Sequence, residues 1–291
     1  MAVNNDSDPV RFAIPKGRMH DRVVKLLGDA GIGIRQSARD YRPSIGLDGF
    51  EVKVLKPRAI VEMLQAGARD LGFAGADWVV EARADLVEVL DTGFDPVRLI
   101  AAAPEAILED GALPDRPLVV ASEYVELARD WIARRKIDAT LLRSYGATEV
   151  LPPEDADCII DNTATGATLA ANKLTIIDDL MTSSTRLYAS KQAMDNPAKR
   201  DAIDRFAMVV RAVLEARRRV MVEVNVSAED LDAVVEAMPC MREPTVSPLR
   251  SSSGFAVKAA VARSDLPGVV PALKRAGGTD VVVTMPEQIV P

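Results

Sequence analysis

Short apolar runs, each broken by a Gly, Pro or charged turn and followed by a stretch of helix length, constrain this chain more than any other feature. Val10–Ile14, Glu51–Leu55, Leu71–Ala74, Leu118–Ala121, Ala139–Leu142 and Cys158–Asp161 read as buried strands. Asp21–Ala30, Ala59–Ala68, Val125–Lys136 and a segment opening near Thr165 read as helices, with Pro57 suited to a first helical position. Leu86–Leu90 with Val97–Ala103, and Leu174–Asp178 with Arg186–Ala189, read as further pairs of strands. Strands alternating with helices predict an α/β protein with parallel sheets and covering helices.

The Pro- and acid-rich connector Pro104–Pro117 separates a first α/β unit from a second, and the helical run Ala198–Arg219 leads out of both. Beyond it the rhythm changes. Val220–Val226, Thr245–Leu249, Phe255–Ala262 and Asp280–Thr284 are strand-like, while Ala228–Ala237 and Leu266–Ala276 are helical. That βαββαβ order is the ferredoxin-like arrangement.

Charge and composition exclude several classes. The formal net charge of −7 is unlike the basic face of a duplex nucleic-acid binder. No apolar run approaches the ~20 residues of a membrane-spanning helix, and the polar start Met1–Asp8 is unlike a signal peptide, so a cytoplasmic location is expected. Cys158 and Cys240 offer neither metal-ligand spacing nor a disulfide framework. With His20 the sole histidine, a Ser-His-Asp triad or a multi-histidine metal site has little material.

The richest segment is Cys158–Leu169, in which an apolar strand ends in Asp161 and a Thr/Gly turn then opens a helix. Such a turn presents backbone N–H groups to a phosphate monoester, and the acid can take ribose hydroxyls or a metal-bound pyrophosphate. An ordinary helix cap uses the same residue types, but Thr163, Thr165 and Thr168 supply more hydroxyls than one cap requires. Gly166 permits close approach of a ligand.

Other strand ends carry related chemistry. Pro15–Lys16–Gly17–Arg18 sets two cations on a turn, either to hold pyrophosphate or triphosphate oxygens or simply to be solvated. Lys56–Pro57–Arg58 repeats the pattern. Asp77, after Gly72–Ala76, faces a cleft or caps the helix containing Trp78. Tyr145–Glu149 brings Tyr145 and Glu149 to a nucleotide or begins a helix. His20 reads as a residue at the start of a helix, and Trp78 and Trp131 as packing residues.

Taken together, these segments resemble the ATP phosphoribosyltransferase family. The resemblance is carried by Ile14–Arg18, Leu71–Asp77, Asp91–Phe94 and Asp161–Leu169 in order and spacing, with Ala171–Leu174 continuing the pattern. It covers nearly the whole chain, and the tail, with Glu243–Leu249, is similar to the long form. The resemblance implies transfer of a phosphoribosyl group from phosphoribosyl pyrophosphate to N1 of ATP, with Mg2+, as the first step of histidine biosynthesis. It implies a two-lobed, periplasmic-binding-protein-like catalytic region: lobe I from 9–103 and 185–218, lobe II from 104–184. A regulatory ferredoxin-like domain, 219–291, would bind histidine as a feedback inhibitor, in a homo-oligomer that interconverts between dimer and hexamer.

Under that resemblance Thr165, Gly166, Ala167 and Thr168 hold the 5′-phosphate. Asp161 takes the ribose hydroxyls or magnesium, and Thr163 contributes to the same turn. Lys16, Arg18 and Lys56 face the pyrophosphate or ATP phosphates, with Asp77, Tyr145 and Glu149 as further substrate contacts. The histidine pocket falls near Asn225, Met241, Thr245 and Gly278. The chain also departs from the family. Ala164 replaces an acidic or hydroxyl residue, Asn162 and Thr163 replace a commonly hydrophobic pair, and Asp95 and Val97 stand where Gly and Cys are usual. These departures bear on how the sugar is positioned. Asn225 stands where an acid can occur, which predicts weaker histidine inhibition. The competing readings are another phosphoribosyltransferase and a non-enzymatic two-lobed ligand-binding protein.

Overall fold

The computed structural model describes residues 8–35, 41–250 and 253–290; the polar start through residue 7 lies outside them. The chain divides into two units, Met1–Lys25 with Ile32–Asp204, and Leu26–Gly31 with Arg205–Pro291.

The first unit is built on one eight-stranded sheet. In chain order its elements are β1 (Val10–Pro15), α1 (His20–Asp29), the two-residue strands β2 (Ile34–Arg35) and β3 (Ser44–Ile45), β4 (Phe50–Leu55), α2 (Pro57–Gln65), β5 (Leu71–Gly75) and α3 (Ala76–Glu81). The long strand β6 (Val87–Pro104) follows, then β7 (Leu118–Ser122), α4 (Val125–Arg135), β8 (Ala139–Arg143), β9 (Cys158–Thr163) and α5 (Ala167–Ala171). A second long strand, β10 (Leu174–Ala189), α6 (Lys191–Asp195) and the helix α7 (Pro197–Arg218) complete the series, and α1 and α7 each extend into the second unit. The sheet order is β4-β1-β5-β10-β6-β9-β7-β8.

The expected parallel pairing holds only within each wing: β1 with β4 and β5, and β7 with β8 and β9. Where the wings meet, β10 runs antiparallel to β5 and β6, and β6 antiparallel to β9. The sheet is therefore mixed. The residues read as two pairs of shorter strands are β6 and β10, each continuous across the junction. Gly93 (φ 68°) and Asp95 (φ 49°) kink β6 without ending it, and the β6–β10 register shifts there. Such bulges turn a strand while keeping its ladder. Thr92 Oγ1 holds the kink, donating to the Thr185 carbonyl at 2.5 Å and accepting the Phe94 N–H at 3.0 Å.

Alternation along β6 divides the core of one wing. Leu99, Ala101 and Ala103 pack with Val120, Tyr124, Ala128, Trp131, Cys158 and Ile160, while Ile100 and Ala102 turn to Ala121, Ile159, Leu169 and Leu174. Two-sided burial explains why these strands read as unbroken apolar runs. In the other wing α2 lays Ile60, Val61 and Leu64 against Ala13, Ala74 and Tyr188. Lys56, extended ahead of Pro57, marks where β4 gives way to α2.

The second unit carries β11 (Arg219–Val226), α8 (Leu231–Glu236), β12 (Thr245–Pro248), β13 (Phe255–Ala262), α9 (Leu266–Arg275) and β14 (Thr279–Thr284). Its sheet runs β12-β13-β11-β14 with every neighbour antiparallel, the ferredoxin-like βαββαβ order. Val220, Val222, Val224 and Val226 alternate inward onto Val234, Val257, Val269 and Leu273. The first helix begins at Leu231 rather than Ala228, because Ser227 Oγ accepts the Asp230 N–H at 3.2 Å and closes a turn first.

Candidate functional site

In the first unit, strand ends from both wings gather around one cavity. Lys16, Arg18 and Met19 follow β1; Pro57 follows β4; Asp77 and Trp78 lie in the first turn of α3. Tyr124 follows β7, Asn162 lies in β9, and Asp95, Val97 and Ser183 come from the two long strands. Together they line a cavity of about 160 Å³. Trp78 is shared with a larger open cavity of about 600 Å³, whose other walls include Arg58, Glu126, Arg129 and Arg143. Carboxyl ends of parallel strands are where α/β sheets collect ligands.

Each cation has a local reason for its place. Gly17, at φ 86°, turns the chain after β1, and its carbonyl accepts the His20 N–H at 2.9 Å. His20 opens α1, with Nδ1 3.0 Å from the Pro15 carbonyl. Lys16 Nζ donates to Tyr41 OH at 3.0 Å and lies 5.0 Å from that ring's centre, which also draws the Tyr41 phenol pKa down. Asp95 pairs with Arg22 at 3.3 Å and accepts from Thr185 Oγ1 at 3.1 Å, so this departure is tied into the kinked strand.

Asp77 serves the cavity wall rather than capping its own helix, whose cap position, Gly75, has no side-chain bond. Asp77 is 4% exposed. Its Oδ1 accepts from Ser183 Oγ at 2.7 Å and its Oδ2 from Tyr124 OH at 2.6 Å, while its N–H donates to Ser183 Oγ at 3.0 Å. Asn162 Nδ2 donates to Tyr124 OH at 3.0 Å. Burial first, then the Asp77 charge, pushes the Tyr124 phenol far above its ordinary pKa, so it stays a donor. Trp78 stacks on Tyr124 with centroids 4.7 Å apart. A Cβ on Gly75 would collide with Asp77 Oδ1. Gly75→Ala should therefore turn Asp77 off both donors and lower stability by about 2 kcal/mol; an unchanged denaturation midpoint would contradict this.

The turn after β9 is open. Thr163 Oγ1 accepts the Gly166 N–H at 3.0 Å and Thr165 Oγ1 the Ala167 N–H at 3.3 Å, so both hydroxyls cap backbone groups of this turn. Gly166 sits at φ 77° with nothing within 4 Å of where a Cβ would stand. The helix that follows, Ala167–Ala171, starts two residues after Thr165 and is only five residues long. Burial raises the Asp161 carboxyl to about 6; the Asn162 N–H, donating at 2.7 Å, opposes this, while Glu149 and Glu123 add repulsion. The site thus holds an acid that gains from a cation or from donors placed against it.

Not every predicted residue reaches the cavity. Lys56, Tyr145, Glu149, Asp161 and the turn residues Thr163–Thr168 are absent from its lining, to which that segment contributes Asn162; Tyr145 is 82% exposed under the Arg143 guanidinium at 5.0 Å. Glu149 lies in a short 3-10 turn, Thr148–Val150, pinned by Ser144 and Thr148 hydroxyls 2.7 Å apart, and acts on Asp161 through charge. Tyr124 and Ser183 were missed. Tyr124 had a signal, since it follows an apolar strand; Ser183 lies inside a polar run that hides a strand. Among the described residues no group of three or more His, Cys, Asp or Glu side chains forms a metal cage.

In the second unit Asn225 lies opposite Thr279 in the β11–β14 register, and its Nδ2 donates to Asp280 Oδ2 at 3.3 Å. Thr245 pairs across β12 and β13 with Lys258, and the Met241 N–H donates to the Ala260 carbonyl at 3.1 Å. A Cβ on Gly278 would stand 2.7 Å from Val224 Cγ2 and 2.8 Å from the Leu273 carbonyl.

Comparison with known proteins gives the family. A family model for HisG, ATP phosphoribosyltransferase, matches residues 56–212, and one for the HisG C-terminal domain matches 216–287. The ATP phosphoribosyltransferase of Chlorobaculum parvum is 33% identical over 280 residues, covering 94% of this chain and 95% of its own. That of Pelotomaculum thermopropionicum is 31% identical over 287 residues, covering 97% and 99%. A solved ATP phosphoribosyl transferase (HisG:HisZ) complex from Thermotoga maritima shares the fold, with a TM-score of 0.64 at 22% identity over 71% of this chain and 98% of that one. With its two α/β wings, its ferredoxin-like tail and relatives matched along nearly their whole length, the chain belongs to the ATP phosphoribosyltransferase family.

Proposed function

We propose that the cavity bounded by Lys16, Arg18, Asp77 and Asn162, with the turn Asp161–Thr168 beside it, is where this chain carries out its family's reaction. The activity is transfer of the phosphoribosyl group of phosphoribosyl pyrophosphate to N1 of ATP, releasing pyrophosphate, the first step of histidine biosynthesis. What supports the siting is the gathering of two cations, Lys16 and Arg18, with Asp77 and Asn162 at strand ends of both wings, Asn162 adjoining Asp161 and the Thr/Gly turn.

The attacking atom belongs to ATP, so the protein needs no nucleophile. Its tasks are alignment and charge stabilisation. Thr165, Gly166, Ala167 and Thr168 hold the 5′-phosphate, Thr163 shaping the turn through Gly166. Asp161 faces the ribose hydroxyls as positive charge grows on the sugar. Lys16 and Arg18 meet the departing pyrophosphate, with Lys56 further out. Tyr145 and Glu149 flank the nucleotide side. The smaller cavity suits the sugar and its phosphate; the 600 Å³ space alongside, with Arg58, Arg129 and Arg143, is of the size for ATP.

Magnesium fits this donor set as an ion that arrives with the pyrophosphate. Asp161 is a hard oxygen ligand with two further carboxylates acting on it, and Mg2+ characteristically binds through one or two carboxylates plus substrate phosphates. When bound it supplies neutralisation of the leaving group's charge.

Lobe I is assigned to 9–103 and 185–218, lobe II to 104–184 and the regulatory module to 219–291. Histidine, as feedback inhibitor, takes the region of Asn225, Met241, Thr245 and Gly278, where Asp280 offers its α-amino group the carboxylate that Asn225 lacks. A homo-oligomer, exchanging between dimer and hexamer, and a cytoplasmic location complete the reading. Among the described residues no helix is long and apolar enough to cross a membrane. The test is pyrophosphate release, expected only when ATP and phosphoribosyl pyrophosphate are both present and reduced by histidine. Release with a free purine or pyrimidine in place of ATP would overturn the substrate assignment. Undiminished inhibition after removal of 219–291 would overturn the regulatory one.

A further inference from the structure

Asn162 is one end of a directed chain of hydrogen bonds. Asn162 Nδ2 donates to Tyr124 OH at 3.0 Å, Tyr124 OH donates to Asp77 Oδ2 at 2.6 Å, and Ser183 Oγ donates to Asp77 Oδ1 at 2.7 Å. Its members come from four elements: β9, the segment after β7, α3 and the long strand β10. Tyr124, Asp77 and Ser183 are all buried, while Asn162 is exposed and lines the cavity. An amide whose nitrogen is held by Tyr124 offers the cavity its Oδ1, an acceptor for a hydroxyl.

The fixed end matters because Asn162 adjoins Asp161, whose Oδ1 accepts the Asn162 N–H at 2.7 Å. That bond comes from the backbone N–H and is kept whatever side chain stands at 162; the Asn162 amide adds a fixed acceptor beside the acid. Two further bonds stiffen the same stretch: Tyr124 N–H to Ser122 Oγ at 2.9 Å, and Ser122 Oγ to the Ile160 carbonyl at 2.6 Å. From these bonds we infer that Tyr124 and Asn162 are positioning residues for the ribose of phosphoribosyl pyrophosphate, tying the turn Asp161–Thr168 through Asp77 to β10. An apolar residue at position 162 cannot make this tie.

This inference rests on the phosphoribosyltransferase reading, and the experiment separates the two. The full-length wild type, Tyr124→Phe, Asn162→Leu and the double variant are assayed for pyrophosphate release, varying phosphoribosyl pyrophosphate and ATP in turn. Tyr124→Phe keeps the ring on Trp78, and Asn162 is exposed, so at least the second variant folds. Each single variant is expected to lose about tenfold in kcat/KM for phosphoribosyl pyrophosphate, with KM for ATP unchanged. The double variant should lose no more than either single one, because one chain of bonds is broken once. Losses that multiply in the double variant, a change confined to ATP, or lowered melting temperatures with wild-type kinetics would each overturn the inference. A wild type that releases no pyrophosphate would instead overturn the parent reading.

Discussion

Asp161→Asn is expected to lose ten- to a hundredfold in kcat while becoming more stable above pH 6. The loss follows from removing a charge-assisted contact of about 1.5–3 kcal/mol to a sugar that becomes cationic in the transition state. The gain follows from burial, which raises the Asp161 carboxyl from an ordinary 3.8 to about 6. The protonated form is thus favoured in the folded chain, and its stabilising contribution is complete below pH 3.8 and lost as the pH rises through about 6. Asparagine never bears that charge, so the stability difference should grow across this window and vanish in acid. Denaturation midpoints in metal- and substrate-free buffer at pH 4 and pH 8, beside steady-state kinetics, check both halves. Thr165→Ala should lose rate in the same range with its stability nearly unchanged. Wild-type kinetics in both variants would remove Asp161 and Thr165 from the sugar-phosphate site.

The largest effect on stability is expected far from the cavity, at Asp70. Its carboxylate is 3% exposed and sits at the start of β5, at the opposite end of the sheet from the ligand-bearing strand ends. Arg11 donates to it through N–H at 2.8 Å, Nε at 3.0 Å and Nη2 at 2.8 Å, and Lys199 through Nζ at 3.0 Å. Asp70→Asn leaves both cations without their counter-charge. Lys199, 14% exposed, is left with little solvent while Arg11, 38% exposed, stays partly solvated, so the cost is about 3 kcal/mol at most, a melting shift of up to roughly 6–12 °C for a unit of this size. Burial works to raise the Asp70 carboxyl, but the Arg11 and Lys199 donors outweigh it and hold it below its usual value. Its contribution is therefore present above pH 3.8 and lost as the pH falls through the lower, folded value. Wild-type and Asp70→Asn midpoints should converge in acid; a gap that persists there, or none at neutral pH, would remove the pair as a stabilising element.

The proposed site and this stabilising pair thus lie at opposite ends of the same strands. The carboxyl ends of β1, β5 and β9 bring Lys16, Asp77 and Asn162 to the cavity, and Asp161 carries a destabilising charge beside it. The amino end of β5 holds a paired carboxylate that secures the sheet. Active sites commonly carry such local cost against a stable frame.

How much of this was legible depended on whether the controlling force was local. Val10–Pro15, Leu71–Gly75 and Cys158–Thr163 are apolar and short with turns at their ends, so burial alone marked them as strands. That Lys16, Arg18 and Asp77 reach one cavity was legible because charges just beyond such strands have a defined place in an α/β sheet. The valine alternation of β11 and the turns of the tail likewise specified the ferredoxin-like module.

The rest came from contacts distant in sequence. Met181–Thr185 is polar and reads as a break, yet pairing with β6 on one side and β5 on the other keeps it extended within β10. The direction of that strand against its neighbours, and hence the mixed sheet, is a matter of chain routing that periodicity does not encode. Tyr124 and Asn162 are separated by 38 residues and Asp77 and Ser183 by 106, so no local pattern joins them. By itself the sequence determined the short apolar strands, the ferredoxin-like order and the Thr/Gly turn with its acid, because hydrophobic period and turn chemistry act within a few residues. Only the tertiary structure decided which strand ends share one cavity and which groups hold one another in place, because buried hydrogen bonds form between whatever side chains the sheet order brings together.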